Sequence, residues 1–167
     1  MTDTVNPVAR PSRLELEPFE QGSLYASGDA RLNDLLGLTQ LGACYIEVPP
    51  GKSSCPYHVH HCEDELFVIL EGEADYRFGE RHHPVRAGDI LGAPRGGPEF
   101  AHQLINTGTT PLRYLAVSSV AEAEICEYPD SGKFGIFRRD SGQGREFRFI
   151  GRESTSVDYW DGDPDAN

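Results

Sequence analysis

His58 and His60 stand two apart in "PYHVHHCEDELFVILEG", residues 56–72, just ahead of an apolar run. In a strand, side chains at i and i+2 leave the same face with Cα atoms about 6.7 Å apart. Two imidazoles so placed can converge on one ion held about 2.0–2.1 Å from each nitrogen. Val59 and His61 then point away. A third donor must come from a neighbouring strand; Glu63, Asp64 and Glu65 are candidates, and Glu65, which opens "ELFVIL", is the preferred carboxylate. His102 in "FAHQLIN" begins another strand after a Gly- and Pro-rich turn and offers a further nitrogen. An alternative uses the flanking Cys55 and Cys62 with the histidines as a closed Cys2His2 zinc site, although the six residues between the two cysteines are not a knuckle spacing.

The elements that must position these groups read as strands cut by turns. "LGACYIEV" ends at Pro49, Pro50 and Gly51; "ELFVIL" ends before Gly72; "EADYRF" and "RHHPV" are separated only by Gly79 and Glu80, a hairpin spacing. "GDILGAP", "HQLIN" and "LRYLAVS" follow, each closed by Gly, Pro, Asn or Thr. Short strands at this density predict an all-β sandwich or barrel. Upstream, "RLELE" alternates Leu14 and Leu16 with charges and predicts a short half-buried strand. "GDARLNDLLG" predicts a short helix, with Asp29 as N-cap and Gly37 as stop.

The chain has 167 residues, with 18 Gly and 12 Pro, enough for one domain with a real core and too many breakers for a helical one. Its formal charge of -12 argues against nucleic acid and against anionic membrane surfaces, both of which need clustered Lys and Arg. The N-terminus carries no apolar signal region and no segment approaches the length of a membrane span, so a cytoplasmic protein is expected. There the four cysteines are expected to be free thiols, with Cys44 and Cys126 as buried small residues. His61, His82 and His83 are expected in solvent. Lys133, Arg138, Arg139, Arg145, Arg148 and Arg152 near the C-terminus, interspersed with acids, read as a solvated strand face rather than an anion site.

Gly51, His58, His60, Glu65 and Gly72, followed by Gly88, Pro94, Gly96, His102 and Asn106, reproduce in order the two motifs of the cupin superfamily, which the chain resembles over residues 51–106. The departures are one extra residue after Gly51 and a longer turn, "GPEFA", before His102. The resemblance implies a double-stranded β-helix, the jelly-roll or cupin barrel, with a short helix near the N-terminus. A single domain over 1–167 is expected, with the barrel at about 38–120, an N-terminal arm over 1–28 and a C-terminal extension over 121–167.

It further implies that His58, His60, Glu65 and His102 hold one divalent transition metal. Three imidazoles and a carboxylate suit Fe, Mn, Ni, Co or Zn, and leave positions open to an oxygen-bearing ligand. Phe67 and Ile69 share parity with Glu65, and Leu104 and Asn106 with His102, so these four face the interior as core or as substrate-pocket wall. The implied activities are those of a metal-dependent dioxygenase, hence an oxidoreductase, or an isomerase acting on a small oxygenated molecule. The rival is a module that binds a sugar or carboxylate without turnover. No catalytic base is visible. "ELFVIL" is apolar on both faces, and with the resemblance this leads us to expect a homodimer.

Overall fold

A computed structural model describes residues 7–138 and 147–164. Among these residues thirteen strands run in chain order: β1 (Glu17–Gln21), β2 (Tyr25–Arg31), β3 (Leu41–Val48), β4 (Val59–His60), β5 (Glu65–Glu71), β6 (Glu73–Phe78), β7 (Arg81–Arg86), β8 (Ile90–Ala93), β9 (His102–Asn106), β10 (Leu112–Ser119), β11 (Ala123–Tyr128), β12 (Lys133–Arg138) and β13 (Phe147–Gly151). Among the described residues there is one α-helix, α1 (Leu32–Leu36), between β2 and β3.

The strands form a six-stranded sheet in the order β1-β2-β3-β10-β5-β8, a four-stranded sheet β13-β12-β11-β4 and a three-stranded sheet β7-β6-β9. Pairing within them is antiparallel throughout. A bridge between His58 and His102 joins the two smaller sheets edge to edge, with His102 N–H donating to the His58 carbonyl at 2.7 Å and His58 N–H returning to His102 at 3.1 Å. The fold is the jelly-roll barrel that the strand spacing and the resemblance imply.

Alternation fills its interior. Phe67 and Ile69 of β5, Ala74 and Tyr76 of β6, Leu104 of β9, and Leu112 and Tyr114 of β10 are all buried in one cluster, while Leu66 and Leu70 on the opposite face of β5 stay 41% and 47% exposed. Glycine is required at Gly72, where φ is +91° and a Cβ would sit 2.9 Å from the Pro111 carbonyl oxygen. Gly79 and Glu80 form the two-residue β6–β7 connection. The stretch expected to be an N-terminal arm supplies β1 and β2, which extend the six-stranded sheet beyond β3.

Two local expectations are corrected. "RLELE" is not a strand: a 3-10 turn over Pro11–Arg13 precedes it, and β1 begins only at Glu17. Leu14 and Leu16 still bury themselves, against the cluster of Ala30, Leu32 and Tyr45, but without a ladder partner. Asp29 is not an N-cap; it lies in β2 opposite Glu17, and Arg31 precedes the helix. Gly37 does end α1, in the left-handed conformation at φ 69°.

All four cysteines are free; Cys126 is buried, whereas Cys44 is only half-buried. His82 and His83 are exposed, but His61 is half-buried and pairs with Glu127 at 3.0 Å. Of the basic C-terminal residues, Arg148 stacks over Phe137 and Lys133 over Tyr128, while Arg139 and Arg145 lie outside the described residues. No described helix is long and apolar enough to cross a membrane.

Candidate metal centre

Val59 has no solvent exposure and packs with Tyr57 and Ala101, which turns the side chains on either side of it, His58 and His60, to the opposite face. β4 is held there by β11, through His60 opposite Cys126 and Val59 opposite Glu127. Glu65 enters from the six-stranded sheet, where it pairs with Ser118 of β10 and Ala93 of β8. His102 opens β9 and is 3% exposed. The longer turn before it does not displace it: "PEF" closes a single 3-10 turn over Pro98–Phe100, and the bridge to His58 fixes the histidine's backbone. Gly96 admits this turn, since a Cβ there would lie 2.5 Å from the Phe100 ring.

Three imidazole Nε2 atoms surround one carboxylate oxygen. Glu65 Oε2 lies 2.9 Å from His102, 3.4 Å from His60 and 3.9 Å from His58. Donor atoms of His58, His60 and Glu65 all fall within 4.8 Å of one another. The far sides of two rings explain why Nε2 faces inward. His58 Nδ1 is 2.8 Å from the Pro56 carbonyl oxygen and His102 Nδ1 is 3.3 Å from that of Phe100. A carbonyl can only accept, so with an ion at the centre Nδ1 carries the proton and Nε2 keeps its lone pair for the ion; without one, His102 Nε2 is the donor to Glu65 at 2.9 Å. His60 differs: its Nδ1 is buried without a hydrogen-bond partner.

The electrostatics fit a cation. Burial alone would raise the Glu65 carboxyl, but the hydrogen bond from His102 and the adjoining imidazoles hold it below the ordinary value, so the group is anionic. Burial pushes His60 down to about 4, leaving it neutral. At His58 burial acts in the same direction, yet Cys55, Glu65 and the Pro56 carbonyl outweigh it and carry the ring up to about 9. Two or three neutral imidazoles and one carboxylate are a donor set for a divalent transition ion, and the residues present can hold one. The Cys2His2 alternative is not assembled: among the described residues the convergent donor groups contain no cysteine.

A family model for the cupin domain matches residues 44–118. Those residues form a cupin domain. The oxalate-binding protein of Thermotoga maritima is 38% identical over 72 residues, 43% of this chain and 56% of that protein. The chain spans about half the length of the curated relatives it matches first, at 56% and 43%. Among solved structures, a sugar phosphate isomerase from a cupin superfamily of Silicibacter pomeroyi superposes with a TM-score of 0.69 at 27% identity, covering 81% of this chain and 82% of its own. A protein of Acidithiobacillus ferrooxidans superposes with a TM-score of 0.71 over 87% of this chain and 90% of its own; at 24% identity it speaks for the fold alone.

Beside the cupin histidines a cavity of about 320 Å³ opens, lined by His58, His60, Glu63, Glu124, Tyr128 and Phe137 among others. None of the four residues expected to wall a pocket lines it. Ile69 and Leu104 lie in the core with Phe67, whose ring centroid is 5.5 Å from that of His102. Asn106 is consumed by its own turn: its amide donates to the Val48 and Thr110 carbonyls at 2.8 and 2.9 Å and its oxygen accepts from Gly108 N–H.

Sequence reasoning missed Glu124, Tyr128 and Phe137, placed Cys126 only as a buried small residue, and weighed Glu63 only as a metal ligand. Glu124, Cys126 and Tyr128 alternate along β11, a visible period-2 signal, but nothing local announces that β11 lies beside β4. Glu124 Oε1 accepts from His61 and Cys62 N–H at 2.9 and 3.2 Å, while Oε2 is buried without a partner. Burial raises its carboxyl, and Glu63 adds to that. Buried polar atoms left unpaired cost about 1–3 kcal/mol each, so this corner holds unspent binding capacity.

Proposed function

We propose that His58, His60, Glu65 and His102 hold one divalent transition ion, Fe, Mn, Ni, Co or Zn, and that the chain is a metal-dependent enzyme. Its substrate is a small oxygenated molecule, admitted through the cavity beside His58 and His60, and its reaction is an isomerisation or a dioxygenation. The observation that carries this reading is the approach of three Nε2 atoms to within 4 Å of Glu65 Oε2. The ion would supply Lewis acidity toward substrate oxygens. The chain itself supplies orientation: carbonyls of Pro56 and Phe100 fix two rings, and Glu65 supplies the negative charge. Phe137 and Tyr128 give the cavity apolar walls that exclude water from a bound ligand. The Silicibacter likeness favours the isomerase arm.

A second reading, a carboxylate- or sugar-binding module without turnover, is favoured by the likeness to the oxalate-binding protein. Purification without chelators followed by elemental analysis is expected to give one divalent ion per chain. Incubation with sugar phosphates, and with oxalate under oxygen, then separates the two: metal-dependent turnover supports the enzyme, saturable binding alone the module. The double variant His58→Ala, His60→Ala is expected to lose the metal and keep the barrel; metal content unchanged in that variant refutes the ligand assignment. Leu66, Leu70 and Ile90, the last 68% exposed, make the outer face of the six-stranded sheet the surface through which we propose two copies pair, testable by light scattering on Leu66→Lys.

A further inference from the structure

An imidazole that gives Nε2 to a metal keeps its proton on Nδ1, and that N–H needs an acceptor. His58 and His102 each use the carbonyl two residues earlier. For His60 the corresponding carbonyl is that of His58, which is turned into the bridge and accepts from His102 N–H. Its Nδ1 is therefore left buried without a hydrogen bond, 3.9 Å from Glu124 Oε1. The Glu124 side chain is 8% exposed, and its Oε2 is likewise buried without a partner. The orphaned Nδ1 thus lies beside a carboxylate that keeps one acceptor oxygen unspent, and a ring swing of about 1 Å brings Nδ1 into hydrogen-bond range of Oε1.

We propose that Glu124 is a positioning residue of the metal centre, a carboxylate from β11 that accepts the Nδ1–H of His60 and so holds that ring with Nε2 toward the ion. It rests on the metal-centre reading above. His60, Glu63 and Glu124 also bring donor atoms together, within 4.8 Å. They do not make a second cation site alongside the first, because a His60 ring ligating through Nε2 presents a proton, not a lone pair, on Nδ1. The proposal ties the sheet containing β11 to the chemistry at β4, β5 and β9, through one side chain that also clasps the backbone after His60.

The test uses the full chain, Zn2+ as probe, and 15N-labelled histidine. Glu124→Gln keeps an oxygen for His61 and Cys62 N–H but removes the charge and one acceptor. It is expected to weaken Zn2+ binding about 10- to 100-fold, and to alter the Nδ1–H signal of His60 in the Zn2+-loaded protein while those of His58 and His102 stay put. Glu127→Gln, which removes a charge from the same strand beside His61, is expected to leave affinity within about twofold. Zn2+ affinity unchanged in Glu124→Gln, an equal loss in Glu127→Gln, or collapse of all three histidine signals together overturns the proposal. So does a wild-type stoichiometry of two Zn2+ that falls to one in Glu124→Gln, which would make Glu124 a ligand. If His58→Ala binds Zn2+ as tightly as the wild type, the metal-centre reading itself fails; if only the Glu124 outcomes fail, that reading stands.

Discussion

Metal uptake by this centre is expected to expel a proton from His58, and the structure sets the size of the effect. The ring's pKa of about 9 means that at pH 7 the metal-free imidazole is charged, paired with Glu65 at 3.9 Å and donating to Pro56 O at 2.8 Å. An ion at the centre requires Nε2 bare, so one proton leaves for each ion bound. His60, held at about 4, is already neutral and contributes nothing above about pH 6. Apparent affinity should therefore rise about tenfold per pH unit from 7 to 9, near 1.4 kcal/mol per unit and about 2.7 kcal/mol over the interval, then flatten. Calorimetric titration with Mn2+ or Zn2+ in buffers of different ionisation heat counts the protons directly. Release close to one proton at pH 7, falling toward zero near pH 10, is the expected result. No net release at pH 7, with affinity flat between 7 and 9, would refute the charge assigned to His58 and with it the balance among Cys55, Glu65 and burial from which it follows.

Acid should destabilise the metal-free barrel through His60. Its folded-state pKa of about 4 lies below the ordinary 6.5, so the unfolded chain binds more protons between those values, and stability is lost as pH falls from 6.5 toward 4. Urea midpoints at three pH values, compared with those of His60→Gln, check the sign; a parallel decline in both proteins argues against it. Ile69→Ala, at a side chain 1% exposed in the core, should cost about 2–5 kcal/mol in urea unfolding, with one ion per chain still bound. Gly96→Ala drives a methyl to 2.5 Å from the Phe100 ring, so that ring, two residues before His102, must move or take its turn with it. A loss of about 1–3 kcal/mol together with weaker metal binding is expected, and intact binding would detach that turn from the site.

The sequence by itself determined an all-β sandwich or barrel and the inward set of its strands, and the likeness to the cupin motifs chose the barrel. Side-chain parity is a local property of an extended chain, so Val59 could be assigned outward from the centre and Phe67 and Ile69 inward, while Gly72 after "ELFVIL" and Gly79–Glu80 after "EADYRF" marked the turns. The same logic paired His58 with His60, and the resemblance to the cupin motifs added Glu65 and His102 to them. It overreached where alternation lacks a partner strand, as at Leu14 and Leu16, because an apolar periodicity reports burial and not hydrogen bonding. Tertiary structure alone decided that a 3-10 turn absorbs the long connection before His102, that Asn106 is spent on its turn, and that the cavity wall comes from β11 and β12. Those outcomes rest on contacts between residues as far apart as His60 and Glu124. Such contacts depend on which strand lies beside which, and no period within either segment encodes that choice.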